Sequence, residues 1–265
     1  QMCIRDRVQA AAGMMANNGT AESGPLRTGY MPVDLMTGMT AAYATTAALL
    51  RKQKTGKGQM VDVAMLDCAI TLGSANFSRS EVDDIPDMLI GNQSIAGAPT
   101  ASSFPTAEGS ILTAAIMPKH VEAFFDELGL REMLNDPKFQ TPEARMENKE
   151  IVRDAMIEAL KSDTAENWEK RLAPRGVPVA KINSVKETAR LEQLQYRNIL
   201  TAVPAAKGMA SGYKLPGAPF TNSEDGPEVM RPAPVLGQHT VEILEEIGIE
   251  KSIISTLAAE GVICK

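Results

Sequence analysis

The stretch PVDLMTG, residues 32–38, sets one acidic side chain, Asp34, between a proline and an apolar, alanine-rich run. A carboxylate at the start of a helix has two uses. It can cap the helix by accepting from the unpaired N–H groups of the first turn, or it can act as nucleophile or base. His120 and His239 are the only histidines, which argues against a mechanism built on several imidazoles and against a His-rich metal centre. The acid, base or nucleophile is therefore expected to be a carboxylate, with no metal. A second stretch, GNQS at residues 91–94, joins a glycine to two amide side chains, Asn92 and Gln93. A loop containing Gly91 can move and approach a reactive group closely. Met65, in VDVAMLD, is an apolar residue in an apolar run and reads equally as core or as ligand contact.

Other candidates read as structure. KTGKGQ (54–59) looks like a short phosphate loop, but it follows a helix and precedes an extended run, the reverse of the phosphate-loop order. It reads as a turn with Lys54 and Lys57 solvated, and Asp62 and Asp67 as pairing or capping residues. His239, in LGQHT, reads as a capping or packing residue. Trp168, the sole tryptophan, reads as the anchor of its helix.

The elements that must position these residues follow from pattern. Val8 to Met15 is helical, and an Asn/Gly/Ser/Pro-rich loop then delivers Asp34. Leu35 to Gln53 carries Leu35, Met39, Ala42, Tyr43, Thr46, Leu49 and Leu50 near helical spacing, which predicts a helix packed tightly on a sheet or another helix. Gly56 and Gly58 stop it. MVDVAMLD allows a short strand or an extended entry into a helix running on to Leu72, and a strand of about three or four residues is favoured. Periodicity weakens from Asn76 to Pro99, where a domain boundary is placed. Two short strands around a turn at Ala107 to Gly109, then a helix over 118–128, begin an α+β unit. Helices within 146–162 and from Thr164, a strand and helix start within 177–188, and a helix finishing through 190–199 complete it. Residues 200–234 read as a long extended return, and helices over 239–247 and 253–260 close the chain.

With 265 residues, 44% of them hydrophobic, the chain can bury a sizeable core as one large domain or two small ones. A net charge of −6, with no Lys/Arg cluster interleaved with aromatics, argues against nucleic acid. Cys3, Cys68 and Cys264 lack metal-site or disulfide spacing and suit a reducing cytoplasm. The apolar runs are too short or too interrupted to span a membrane. The polar opening, Gln1 to Arg7, reads as a non-native scar of a cut sequence.

Four stretches in order, PVDLMTG (32–38), KTGKGQMVDVAMLD (54–67), GNQSIAGAPTASSFPTAEG (91–109) and RPAPVLGQHTVEIL (231–244), resemble the family III CoA-transferases, the CaiB/BaiF family. The resemblance implies an α/β fold. Residues 1–75 would be the second half of a Rossmann-like large domain truncated at its N-terminus, 76–103 a linker with the glycine-containing loop, 104–199 an inserted small α+β domain, and 200–265 a return linker with helices on the large domain. It also implies an interlocked homodimer. Asp34 matches the family's catalytic aspartate, which forms an acyl anhydride and then an aspartyl-CoA thioester. Met65, Gly91, Asn92 and Gln93 match positions that bind substrate or CoA, with Ser94 where members often carry His and Gln238 where they commonly carry Glu. The implied substrates are an acyl-CoA and a carboxylic acid, with the CoA thioester as substrate and no permanently bound cofactor. Two alternatives stand beside transfer: an α-methylacyl-CoA racemase, with Asp34 as α-proton base and Ile4 at the partner base position, and an inactive fragment or acyl-CoA binder.

Overall fold

The computed structural model describes residues 4–206, 208–226 and 231–263, so Cys3 and Cys264 lie outside the described residues. The chain is mixed α/β and divides into two compact units, Gln1–Ile182 and Asn183–Lys265.

The first unit opens with α1 (Ile4–Ala11), a 3-10 turn at Met14–Asn17, and the two-residue strands β1 (Gly19–Thr20) and β2 (Gly24–Pro25). The helix begins at Ile4 rather than Val8, with Asp6 in its first turn, where negative charge is favoured. α2 (Pro32–Thr55), α3 (Met65–Leu72) and α4 (Ser74–Asp83) follow. A small apolar cluster of Ala12, Val33 and Ala69, joined by Val8, Met14 and Met65, fastens α1, α2 and α3 together. α2 stops as expected, at Gly56 in the left-handed region with its N–H donating to Lys52 O at 2.8 Å. KTGKGQ is thus a structural turn, held also by Arg51, whose Nη1 donates to Lys57 O at 2.8 Å.

α4, whose sequence SANFSRSEVD is mostly polar, lies where apolar periodicity fades. Two expectations for this region fail. Residues 60–64 form no strand, because no described segment lies alongside to complete a ladder; the other reading holds, with Ala64 extended at the entry to α3, which runs to Leu72. The tight packing expected of α2 is also missing: of its 24 residues only Val33 is buried, while Leu35, Met39, Tyr43, Leu49 and Leu50 are 51–66% exposed. At 100° per residue these five side chains share one stripe.

The rest of the unit holds the main core. β3 (Ser103–Pro105), β4 (Ser110–Thr113) and β5 (Val179–Lys181) form an antiparallel sheet in the order β3-β4-β5, with Phe104 opposite Ile111 and Leu112 opposite Ala180. The expected turn at Ala107 to Gly109 joins the first two. α5 (Pro118–Glu127), the short helices α6 (Pro137–Gln140) and α7 (Pro142–Glu147), α8 (Lys149–Leu160) and α9 (Ala165–Leu172) surround it. Phe104, Ile111, Phe124, Met156, Trp168 and Leu172 are buried together in one cluster. Trp168 anchors α9, its Nε1–H donating to Leu160 O at 2.9 Å. Thr164 caps that helix by accepting from Asn167 N. Outside the core, Glu127 accepts from Arg171 Nε at 2.7 Å and also pairs with Arg175, while the Arg171 guanidinium lies 4.1 Å from the Trp168 ring centre.

The second unit contains α10 (Val185–Thr188), α11 (Glu192–Tyr196), the hairpin β6 (Leu200–Val203) and β7 (Tyr213–Pro216), α12 (Thr240–Glu246) and α13 (Lys251–Ala259). The segment expected to be one continuing helix is two, because Leu191 is extended. The segment read as a plain extended return folds back on itself, with Leu200 opposite Pro216 and Val203 opposite Tyr213. All strand pairs among the described residues are antiparallel.

Candidate active site

Asp34 is the third helical residue of α2, after Pro32 and Val33; the position preceding the helix is Met31. It is therefore within the first turn rather than the N-cap of the sequence reading. Proline suits the first helical position because its absent N–H would be unpaired there anyway. Negative charge is stabilised at this end by the unpaired N–H groups and the helix dipole. The Asp34 side chain is exposed and makes no hydrogen bond or ion pair among the described residues. A capping carboxylate would be occupied; this one has no partner among the described residues.

The start of α2 is fixed from below and from behind. Val33 is fully buried against Ala12 and Ala69, and Met65, the first residue of α3, packs half-buried on the same cluster. Met65 thus belongs to the packing that seats the residue next to Asp34. Behind, Gln9 is 2% exposed, and its Oε1 accepts from Thr28 N at 3.0 Å. Thr28 Oγ1 in turn donates to Tyr30 O at 2.9 Å. This relay ties the segment entering α2 to α1. Sequence reasoning missed Gln9, although a lone amide inside VQAAAGMM was a visible signal that something polar must be satisfied there.

The loop GNQS is attached elsewhere. Gly91 N donates to Gly19 O at 2.7 Å beside the bridge of Thr20 with Ile90, so the loop rests on the β1–β2 hairpin. Gly91 has φ +58°, and a Cβ there would lie 2.8 Å from Thr20 Cγ2. Only glycine meets both conditions without displacement. Asn92 Nδ2 donates to Ser103 Oγ at 3.0 Å, which fastens the loop to β3. Arg153, on α8, holds the same place: its Nη1 donates to Ser102 Oγ at 3.1 Å, its Nη2 to Ser103 O at 3.2 Å, and its guanidinium lies 5.0 Å from the Phe104 ring centre. Gln93 lines a cavity of about 20 Å³ with Ser102, Lys149 and Arg153, close to the room one water needs.

The candidate residues therefore form two groups, Asp34 with Met65 and Gly91 with Asn92 and Gln93. No hydrogen bond joins the groups among the described residues; the hairpin at 19–25 links the loop to the segment that enters α2. A cleft of about 490 Å³, lined by Ala12, Met14, Asn17, Leu72, Phe77 and Asp87 among others, borders the small cluster but includes neither group. Asn17 Nδ2 donates to Asp87 Oδ1 at 2.6 Å inside it. His239 precedes α12 without capping it, and its Nδ1 lies 3.0 Å from Glu242 Oε2. No group of acidic, His and Cys side chains among the described residues could hold a metal ion, and no described helix is long and apolar enough to cross a membrane.

The profile of CoA-transferase family III matches residues 2–240, and the chain belongs to that family. It is 28% identical over 251 residues to a succinate–glutarate CoA-transferase of Agrobacterium fabrum, covering 91% of this chain and 59% of that one. It is 26% identical over 265 residues to the human succinyl-CoA:glutarate CoA-transferase, covering 96% and 58%. A formyl-CoA:oxalate CoA-transferase of Streptomyces avermitilis is 27% identical over 273 residues, covering 96% and 66%. The chain thus spans between 58% and 66% of the length of these relatives. Among solved structures, a CaiB/BaiF family protein from Brucella suis superposes with a TM-score of 0.79 at 22% identity, over 92% of this chain and 62% of that one. A protein from M. tuberculosis gives 0.73 at 24% identity, over 91% and 63%. At these identities the likeness is one of fold.

Proposed function

We propose that the protein transfers CoA from an acyl-CoA to a carboxylic acid, with Asp34 as the covalent carrier. The observation that carries this reading is the placement of Asp34 at the N-terminal turn of α2: exposed, without a partner, and seated by the Val33–Met65 cluster. The relatives named above are CoA-transferases, which favours transfer over racemisation.

A carboxylate oxygen of Asp34 attacks the thioester carbonyl carbon of the donor, the C–S bond breaks, and CoA leaves as thiolate. The thiolate then attacks the aspartyl carbonyl of the mixed anhydride, releasing the donor acid and leaving an aspartyl-CoA thioester. The acceptor carboxylate attacks that thioester and expels the thiolate, which attacks the acceptor carbonyl of the new anhydride. The products are the acceptor's CoA thioester and free Asp34. No general base is needed, because the nucleophile is a carboxylate with no proton to remove. Met65 would flank the thioester, and the loop of Gly91, Asn92 and Gln93 would cover the anhydrides, which water would otherwise hydrolyse.

The same reading makes residues 1–75 part of a Rossmann-like large domain, 104–199 an inserted small domain and 200–265 the return to the first, in an interlocked homodimer acting in the cytoplasm without a resident cofactor. The test is incubation of the protein with succinyl-CoA and formyl-CoA, followed by hydroxylamine trapping and peptide mass spectrometry. A hydroxamate on Asp34 that requires acyl-CoA, and is lost in Asp34→Asn, is the expected result. An unmodified Asp34 accompanied by uptake of solvent deuterium at the α-carbon of a branched acyl-CoA would replace transfer with racemisation.

A further inference from the structure

Arg145, on α7, is only 6% exposed. A buried guanidinium is costly unless its charge and its donors are met. Here they are met on one side only. Nη1 donates to Phe139 O at 2.7 Å and to Gln140 O at 3.0 Å, at the end of α6. Nε and Nη2 make no hydrogen bond among the described residues, yet neither is sealed from solvent. Among the described residues no carboxylate lies within ion-pair distance; burial pulls the Arg145 pKa down from its ordinary value, and Glu143 offsets this only at longer range.

Arg145 lines a cleft of about 240 Å³. Arg131 and Glu122 stand on the same cleft, paired to each other at 3.4 Å in an exposed contact. Pro118, Val121, Leu134 and Pro142 supply apolar wall, and Asn135 and Gln140 supply amides. Arg131 is matched by Glu122, whereas Arg145 has only the more distant Glu143. One directly unpaired guanidinium calls for one negative charge. The free Nε–Nη2 edge is a planar fork that matches the two oxygens of a carboxylate. Apolar walls have nothing to bury on a bare inorganic oxyanion, whereas they suit a short hydrocarbon chain.

We infer that the cleft between α5 and α7 is a binding site for a short-chain monocarboxylate, held by the free edge of Arg145. It does not use Asp34 and does not rest on the transfer reading.

The test titrates the whole chain with butyrate, and in parallel with inorganic phosphate at matched ionic strength, while following the Arg Nε–H resonances by nitrogen-resolved NMR. One resonance should shift saturably with butyrate and not with phosphate, and should be identified as Arg145 by its absence in Arg145→Lys. Leu134→Trp fills the cleft and leaves Arg145 in place; it should weaken butyrate binding by at least about tenfold, the loss of one or more charge-assisted hydrogen bonds. Asp34→Asn should leave the titration unchanged, so a failure of the transferase reading does not touch this one. The inference is overturned if butyrate produces no saturable shift, if phosphate shifts the same resonance equally, or if folded Leu134→Trp binds as the parent does.

Discussion

At the scale of single residues, two positions carry more than their residue types announce. Gly91 is legible as a loop residue, but its reason is not: the φ of +58° and the approach to Thr20 Cγ2 depend on a hairpin more than sixty positions earlier in the chain. Gly91→Ala should therefore lower the unfolding free energy by about 1–2 kcal/mol from the dihedral alone, plus the cost of displacing Thr20. Gly13→Ala, at φ +74° with open space around its Cβ, should show only the dihedral part. Adding Thr20→Ser to Gly91→Ala should recover the difference in urea denaturation, and a double variant no more stable than the single one would remove the steric account. Glu127 is the second. Hydrogen bonds from Arg171 and then Arg175 hold its carboxyl below the ordinary range. A depressed folded-state pKa stabilises the protein above the unfolded-state value, and that stabilisation disappears as pH falls through the folded-state value. Glu127→Gln should thus melt below the parent at pH 6, with the two melting curves converging as the pH falls below about 4, near the ordinary glutamate value. Parallel pH profiles would show that the pairs contribute nothing.

At the scale of elements, periodicity found those that bury a face within their own neighbourhood. The strands around Ala107 to Gly109 and the helices α5, α8 and α9 alternate in polarity because Phe104, Phe124, Met156 and Trp168 meet in one core. The elements missed are those whose partners lie at a distance or are polar. α4 gives little apolar signal, and β6 and β7 are recognisable as a hairpin only once Leu200 meets Pro216 across a nine-residue connection of weak pattern. Residues 60–64 failed in the opposite sense, because alternation alone cannot supply a neighbouring strand. For the candidate site, Asp34 could be singled out from its proline and helix, and Met65 from its apolar run. Gln9, Thr20 and Arg153 could not be assigned roles, since each acts through a contact the sequence order does not contain.

At the scale of the whole molecule, uncovered apolar surface decides. The apolar stripe on α2 runs along a helix about 36 Å long at 1.5 Å per residue. Exposed apolar area of this kind binds hydrophobic dyes and promotes association. Replacing Met39, Tyr43 and Leu50 together by lysine should lower the fluorescence of a bound naphthalene-sulfonate dye and reduce light scattering. Dye binding that stays at the parent level would place the sticky surface elsewhere.

Trp168 is the chain's only tryptophan, 2% exposed, with its indole N–H already bonded to Leu160 O. Its emission consequently works as an optical gauge of one core and is blind to the other cluster. A chain in which the turn carrying Asp34 had come loose from Ala12 and Ala69 would still glow at the short wavelength of a sheltered indole. Intrinsic fluorescence alone would certify as intact a molecule that had already lost the footing of Asp34.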